Sequence, residues 1–98
     1  MAVSTIDALS NGTSEKLTTS ATGITVTGNA TFADNGKAIF GAGSDLQIYH
    51  DGSNSVIHDN GTGDLQIQAN NLRLTNQSAT RTYAEFINAG STILYHDN

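Results

Sequence analysis

Apolar residues in this chain come in short runs that alternate with polar ones, the two-residue period of half-buried strands. "GITVTG" puts Ile24 and Val26 on one side, Thr25 and Thr27 on the other. "DLQIYH" places Leu46, Ile48 and His50 together, with Asp45, Gln47 and Tyr49 opposite. "DLQIQ" repeats that pattern at Asp64–Gln68, and "NLRL" aims Leu72 and Leu74 together. "TILYH" sends Leu94 and His96 one way, Ile93 and Tyr95 the other. "KAIFG" and "TRTYAEFINAG" also read as strands. Helix signals are confined to "STIDALSNG" (Ser4–Gly12), with Ser4 as a cap, Asp7 three residues on and Gly12 as a stop.

Asp-Gly, Asn-Gly, Asp-Asn and Asn-Asn pairs separate the runs, and "ADNG" (Ala33–Gly36) predicts a hairpin turn. The fold class is therefore all-β, with one short helix possible at the start. The predicted inner set is Ile24, Val26, Leu46, Ile48, Leu65, Ile67, Leu72, Leu74 and Leu94, or the alternate set one residue away.

Ser, Thr, Asn and Gly make up 42 of the 98 residues, a balance that would suggest disorder if the alternation were absent. Large aliphatics and phenylalanines number only about twenty, too few for a small lone domain to bury a secure core. This shortage predicts an obligate oligomer whose neighbours complete the interior. Ninety-eight residues leave room for one domain, read as a lead segment over 1–13 and one β-rich module over 14–98.

The net charge is −5, and the four bases (Lys16, Lys37, Arg73, Arg81) are scattered, which argues against nucleic acid as a partner. There is no cysteine, so disulfides and thiolate metal sites are excluded. No apolar stretch has the length of a membrane span, and "MAVSTIDALS" lacks the pattern of a signal peptide, so a soluble protein is expected.

Internal similarity points to a repeat architecture. "GSDLQIYHD" (Gly43–Asp51) and "GSTILYHD" (Gly90–Asp97) align at their Tyr-His-Asp ends, and "DLQI" recurs 19 residues on. The stretch "TTSATGITVTGNATFADNGKAIFGAGSDLQIYHDGSNSVIHDNGTGDLQI" resembles the repeat modules of tail-fibre and other virion structural proteins of marine tailed bacteriophages, cyanophages especially. "STILYHDN" resembles the end of such a module, and "SEKLTTSATGITVTG" (Ser14–Gly28) the piece that leads back into one. The resemblance covers about 85 residues, Ser14–Asn98. It implies an elongated, fibre-like or β-solenoid-like homotrimer and a structural role in a phage tail fibre or related virion appendage. Other virion proteins would be its partners, and the chain would be made in the host cytoplasm. A fibre tip that binds host-surface carbohydrate is the alternative role.

Each of the three histidines is followed by aspartate. Under threefold symmetry, His50 and His96 are the candidate ligands for a divalent metal on the axis, because each shares a strand side with apolar residues; His58 is expected to point outward. The competing reading is that the aspartate opens a turn and the histidine only ends a strand. Catalysis has no starting constellation. Neighbouring His and Asp on a strand point to opposite sides and cannot form a dyad, no Gly-x-Ser-x-Gly elbow is present, and Asp51, Asp59, Asp64 and Asp97 sit at turns. "FGAGSD" (Phe40–Asp45) precedes no helix and reads as a bend rather than a phosphate loop. "DNGTGD" (Asp59–Asp64) reads as a turn rather than a calcium loop. The triplets at Asn11, Asn29, Asn60 and Asn76 reflect composition rather than glycosylation. Tyr49 and Tyr95 are expected to pack across a neighbouring chain rather than stack on a sugar.

Overall fold

A computed structural model of the chain describes residues 10–11 and 14–96. Within them the protein is all-β, without a helix. In chain order the strands are β1 (Ser10–Asn11), β2 (Ser14–Glu15), β3 (Leu17–Ser20), β4 (Gly23–Val26), β5 (Lys37–Phe40), β6 (Leu46–His50), β7 (Ser55–Asp59), β8 (Asn71–Thr75), β9 (Thr82–Ile87) and β10 (Thr92–Leu94). All pairings are antiparallel and form four small open sheets.

The chain divides into two compact units, Met1–Thr62 and Gly63–Asn98. The first contains hairpins β1–β2 and β3–β4 and the sheet β5-β6-β7; the second contains the sheet β10-β9-β8.

Three sequence expectations change. The helix predicted over Ser4–Gly12 falls mostly outside the described residues, and its Ser10 and Asn11 pair as β1 with Glu15 and Ser14. Ala33–Gly36 does turn, with the Gly36 N–H donating to the Ala33 carbonyl at 2.7 Å and Asn35 at φ 67°. It joins no hairpin, because β4 pairs back onto β3 and β5 pairs forward onto β6. Asp64–Gln68 forms no strand. A strand needs a neighbour for its backbone groups, and this segment has none among the described residues.

The other turns follow the side-chain chemistry closely. At the β5–β6 connection Gly41 has φ 93° and Ser44 φ 57°, and the Ser44 N–H donates to the Gly41 carbonyl at 3.2 Å. The positive φ favours glycine at Gly41, and a side chain there would also crowd the Asp45 carboxylate and displace it. Asp51 opens the β6–β7 turn by accepting the Ser53 and Asn54 N–H groups on Oδ1 at 2.9 and 2.7 Å. At β8–β9, Asn76 Oδ1 accepts the N–H groups of Thr80 and Arg81 at 2.9 and 2.8 Å, while its Nδ2 donates to Ser78 Oγ and Thr80 Oγ1. The ladder slips between Leu74 and Thr75, where β9 passes from Ala84 to Thr82 and leaves Tyr83 as the extra residue of a bulge.

Registers fix which residues share a side, because directly opposed residues project together. In the first three-stranded sheet one side carries Ala38, Phe40, Leu46, Ile48 and Ile57, and the other Lys37, Ile39, Gln47, Tyr49, Val56 and His58. In the second, one side carries Leu72, Leu74, Ala84, Phe86 and Leu94, and the other Arg73, Glu85, Ile87 and Ile93. Among the described residues Ala84 alone is buried, at 6% exposure. Around it large apolar side chains stand in the open, from Phe86 at 38% to Leu94 at 77%.

Candidate functional site

The predicted inner set separates by sheet. Leu46 and Ile48 lie on the apolar side of β5-β6-β7, and Leu72, Leu74 and Leu94 on the apolar side of β8-β9-β10. Ile24 and Val26 share a side of the β3–β4 hairpin with Leu17. Leu65 and Ile67 lie in the strandless segment. Ile24, Val26, Ile48, Leu65, Ile67, Leu74 and Leu94 are exposed, while Leu46 and Leu72 are half-buried. These side chains form apolar faces rather than an interior.

The reverse side of the second sheet is chemically different. Arg73 on β8 and Glu85 on β9 are directly opposed, and the Arg73 guanidinium donates two hydrogen bonds to Glu85 Oε2, the Nε one at 2.9 Å. Just past β10, the Tyr95 hydroxyl donates to Glu85 Oε1 at 3.2 Å. Both oxygens of the carboxylate are engaged. The Arg73 hydrogen bonds hold the Glu85 carboxyl below its usual pKa, with a smaller contribution from Tyr95. Conversely, the bond to Glu85 raises the Tyr95 phenol and the Arg73 guanidinium above theirs. A face whose charges satisfy one another is suited to water; the opposite face, lined with Leu and Phe, is not.

A hollow of about 380 Å³ opens beside that apolar face, lined by Ile67, Ala69, Asn70, Leu72, Phe86, Ile87 and Asn88. The Asn88 amide closes one rim, its Nδ2 donating to Asn70 Oδ1 at 3.2 Å while its backbone N–H donates to Asn71 Oδ1 at 2.8 Å.

The three histidines differ in place: His50 ends β6, His58 lies inside β7 one residue before its end, and His96 lies beyond β10. His50 ends β6 on the side of Leu46 and Ile48, as its spacing predicts, and its Nδ1 lies 3.0 Å from Ser55 Oγ, leaving Nε2 for any ligand. The Asp that follows it opens the next turn, and the hydrogen bonds from Asn54 and Ser53 hold its carboxyl below the usual range. Asp59, which follows His58, accepts the Gly61 N–H at 3.0 Å, so "DNGTGD" begins as a turn. His58 lies on the side of Gln47, away from Ile57. His96 falls beyond β10 and is exposed, and Asp97 lies outside the described residues. Among the described residues, no three His, Asp or Glu side chains of a single chain gather as a metal site. Tyr49 is half-buried with the Lys37 ammonium 4.6 Å from its ring centre, and Lys37 also donates to Gln47 Oε1 at 3.0 Å.

Sequence reasoning missed the Arg73–Glu85–Tyr95 row and the Asn76 hub. Alternation puts Arg73 opposite Leu72 and Leu74, and Glu85 opposite Ala84 and Phe86, but only the register aligns the two charges.

No known family model, curated protein or solved structure matches this chain.

Proposed function

We propose that this chain is a structural segment of a phage tail fibre or related virion appendage, working as a homotrimer in which three copies share one apolar interior. A single observation carries the reading: Ala84 is the only buried residue among those described, although each three-stranded sheet has one side on which large apolar residues gather. Such faces gain roughly 25 cal/mol for each Å² of apolar surface removed from water. The saturated Arg73–Glu85–Tyr95 row supports an outer side for the second sheet. The role is mechanical, with no catalytic step, and the excess of acids would keep neighbouring fibres apart. On this reading the protein resides in the virion, joined to other virion proteins, and His50 and His96 are the residues that three copies would offer to an axial divalent ion.

Molecular mass in dilute buffer, by sedimentation or light scattering, tests the reading. Three chains per particle are expected; a compact monomer would sink it. The hollow beside Phe86, with an apolar floor and an amide rim, favours one second reading, a carbohydrate-binding module at a fibre tip. A glycan array probed with the chain separates the two, since a purely structural segment binds none.

A further inference from the structure

We infer that Asp64–Ala69 is a pairing strand whose partner is supplied by a second copy of this chain. The inference rests on the multichain reading above and names the segment that joins the chains.

The segment has the side-chain alternation of a strand but not its bonds. Its alternation places Leu65, Ile67 and Ala69 to one side and Gln66 and Gln68 to the other. The Gln68 amide donates to Gln66 Oε1 at 3.1 Å, as residues two apart on extended chain can. Yet among the described residues no backbone N–H or carbonyl of Asp64–Ala69 makes a hydrogen bond, and Leu65 and Ile67 are 46% and 60% exposed.

The same tetrapeptide shows what is missing. "DLQI" at Asp45–Ile48 contributes Leu46, Gln47 and Ile48 to β6, the central strand, bonded to β5 on one edge and β7 on the other. At Asp64–Ile67 identical residues have neither neighbour among the described residues. The difference is one of partners, not of intrinsic preference. An extended run with a free backbone and one apolar side is a template for strand addition. A bend at Asn70 separates it from β8, and Ile67 and Ala69 line the hollow with Leu72 and Phe86, so an added strand would extend an apolar surface the sheet already presents. A second copy fits as donor because this chain's own alternating strands have that pattern, with β5, β7, β8 and β10 lying at sheet edges.

The test is hydrogen exchange on the full chain, read residue by residue at low and high protein concentration, with mass measured in parallel. Alternate amides within Asp64–Ala69 should exchange slowly in the assembly and fast on dilution to monomer. Gln66→Pro, which removes one backbone N–H from the segment, should weaken association about tenfold while β8–β10 amides stay protected. Leu65→Lys should weaken it as well. An assembly whose Asp64–Ala69 amides exchange as fast as open coil overturns the pairing and leaves the trimer standing. Protection that persists in a monomer assigns the partner to the same chain and also overturns it. A chain that is monomeric at every concentration overturns both readings.

Discussion

Glu85 receives Arg73 on one carboxylate oxygen and Tyr95 on the other, so three residues from the three adjacent segments of one sheet lie in a single row. The pKa of Glu85 is depressed, chiefly by Arg73. A carboxylate whose folded pKa lies below its unfolded value of about 4.3 contributes stability above that value and loses it as pH falls through the folded one. Thermal melts from pH 7 down to pH 2 should therefore show an acid-side loss that Glu85→Gln reduces. An unchanged acid limb in that variant would mean that the row contributes nothing to folding.

Tyr95 gives the opposite sign. Its pKa is raised by the hydrogen bond to Glu85, so its contribution is complete below about pH 10 and declines as pH rises through the folded value. Ultraviolet titration should show a late-titrating phenol that Tyr95→Phe removes.

Asp51 holds the β6–β7 turn through two backbone N–H groups, and their hydrogen bonds depress its pKa. Asp51→Asn keeps an acceptor oxygen and should retain the turn with a weaker pH dependence below about pH 4. Asp51→Ala should lose protection of the Ser53 and Asn54 amides in hydrogen exchange.

Gly41 and Gly52 separate two costs of adding a side chain. Both have positive φ, at 93° and 99°. At Gly41 the new Cβ would also crowd the Asp45 side chain, whereas at Gly52 its nearest neighbour is Asp34 Oδ2 at 3.7 Å. Gly52→Ala should cost about 1–2 kcal/mol for the backbone alone. Gly41→Ala should cost more, and Asp45→Ala in the same chain should recover part of the difference, as denaturant melts of the four variants would show.

Asn76 is the hub of the β8–β9 connection, accepting two backbone N–H groups and donating to two hydroxyls. Asn76→Ala should destabilise the second unit by about 1–3 kcal/mol, and Asn76→Asp by less because the two acceptor bonds survive. Local hydrogen exchange in Thr82–Ile87 reads the effect.

Much of the fold was legible because strand periodicity is a local property. Leu46, Ile48 and His50 share a side as their spacing predicts, and Ile93 and Tyr95 are both on the Glu85 side. Turn chemistry was legible for the same reason: Asp51 and Asp59 bond N–H groups two or three residues ahead. The Ala33–Gly36 turn was read correctly as a turn and wrongly as a hairpin, because strand partnership is decided beyond the turn. Arg73 meets Glu85 across 12 residues of sequence, through a register that neither residue encodes alone.

By itself the sequence determined the all-β character, the sides of each strand and the scarcity of apolar material. The tertiary structure decided which strands find neighbours. "DLQI" is the same four residues at Asp45 and at Asp64; one copy enters the middle of a sheet and the other pairs with nothing among the described residues. The physical reason is that every ladder hydrogen bond of a strand needs a group from another segment, and alternation specifies the side chains of a strand without specifying the backbone it will meet.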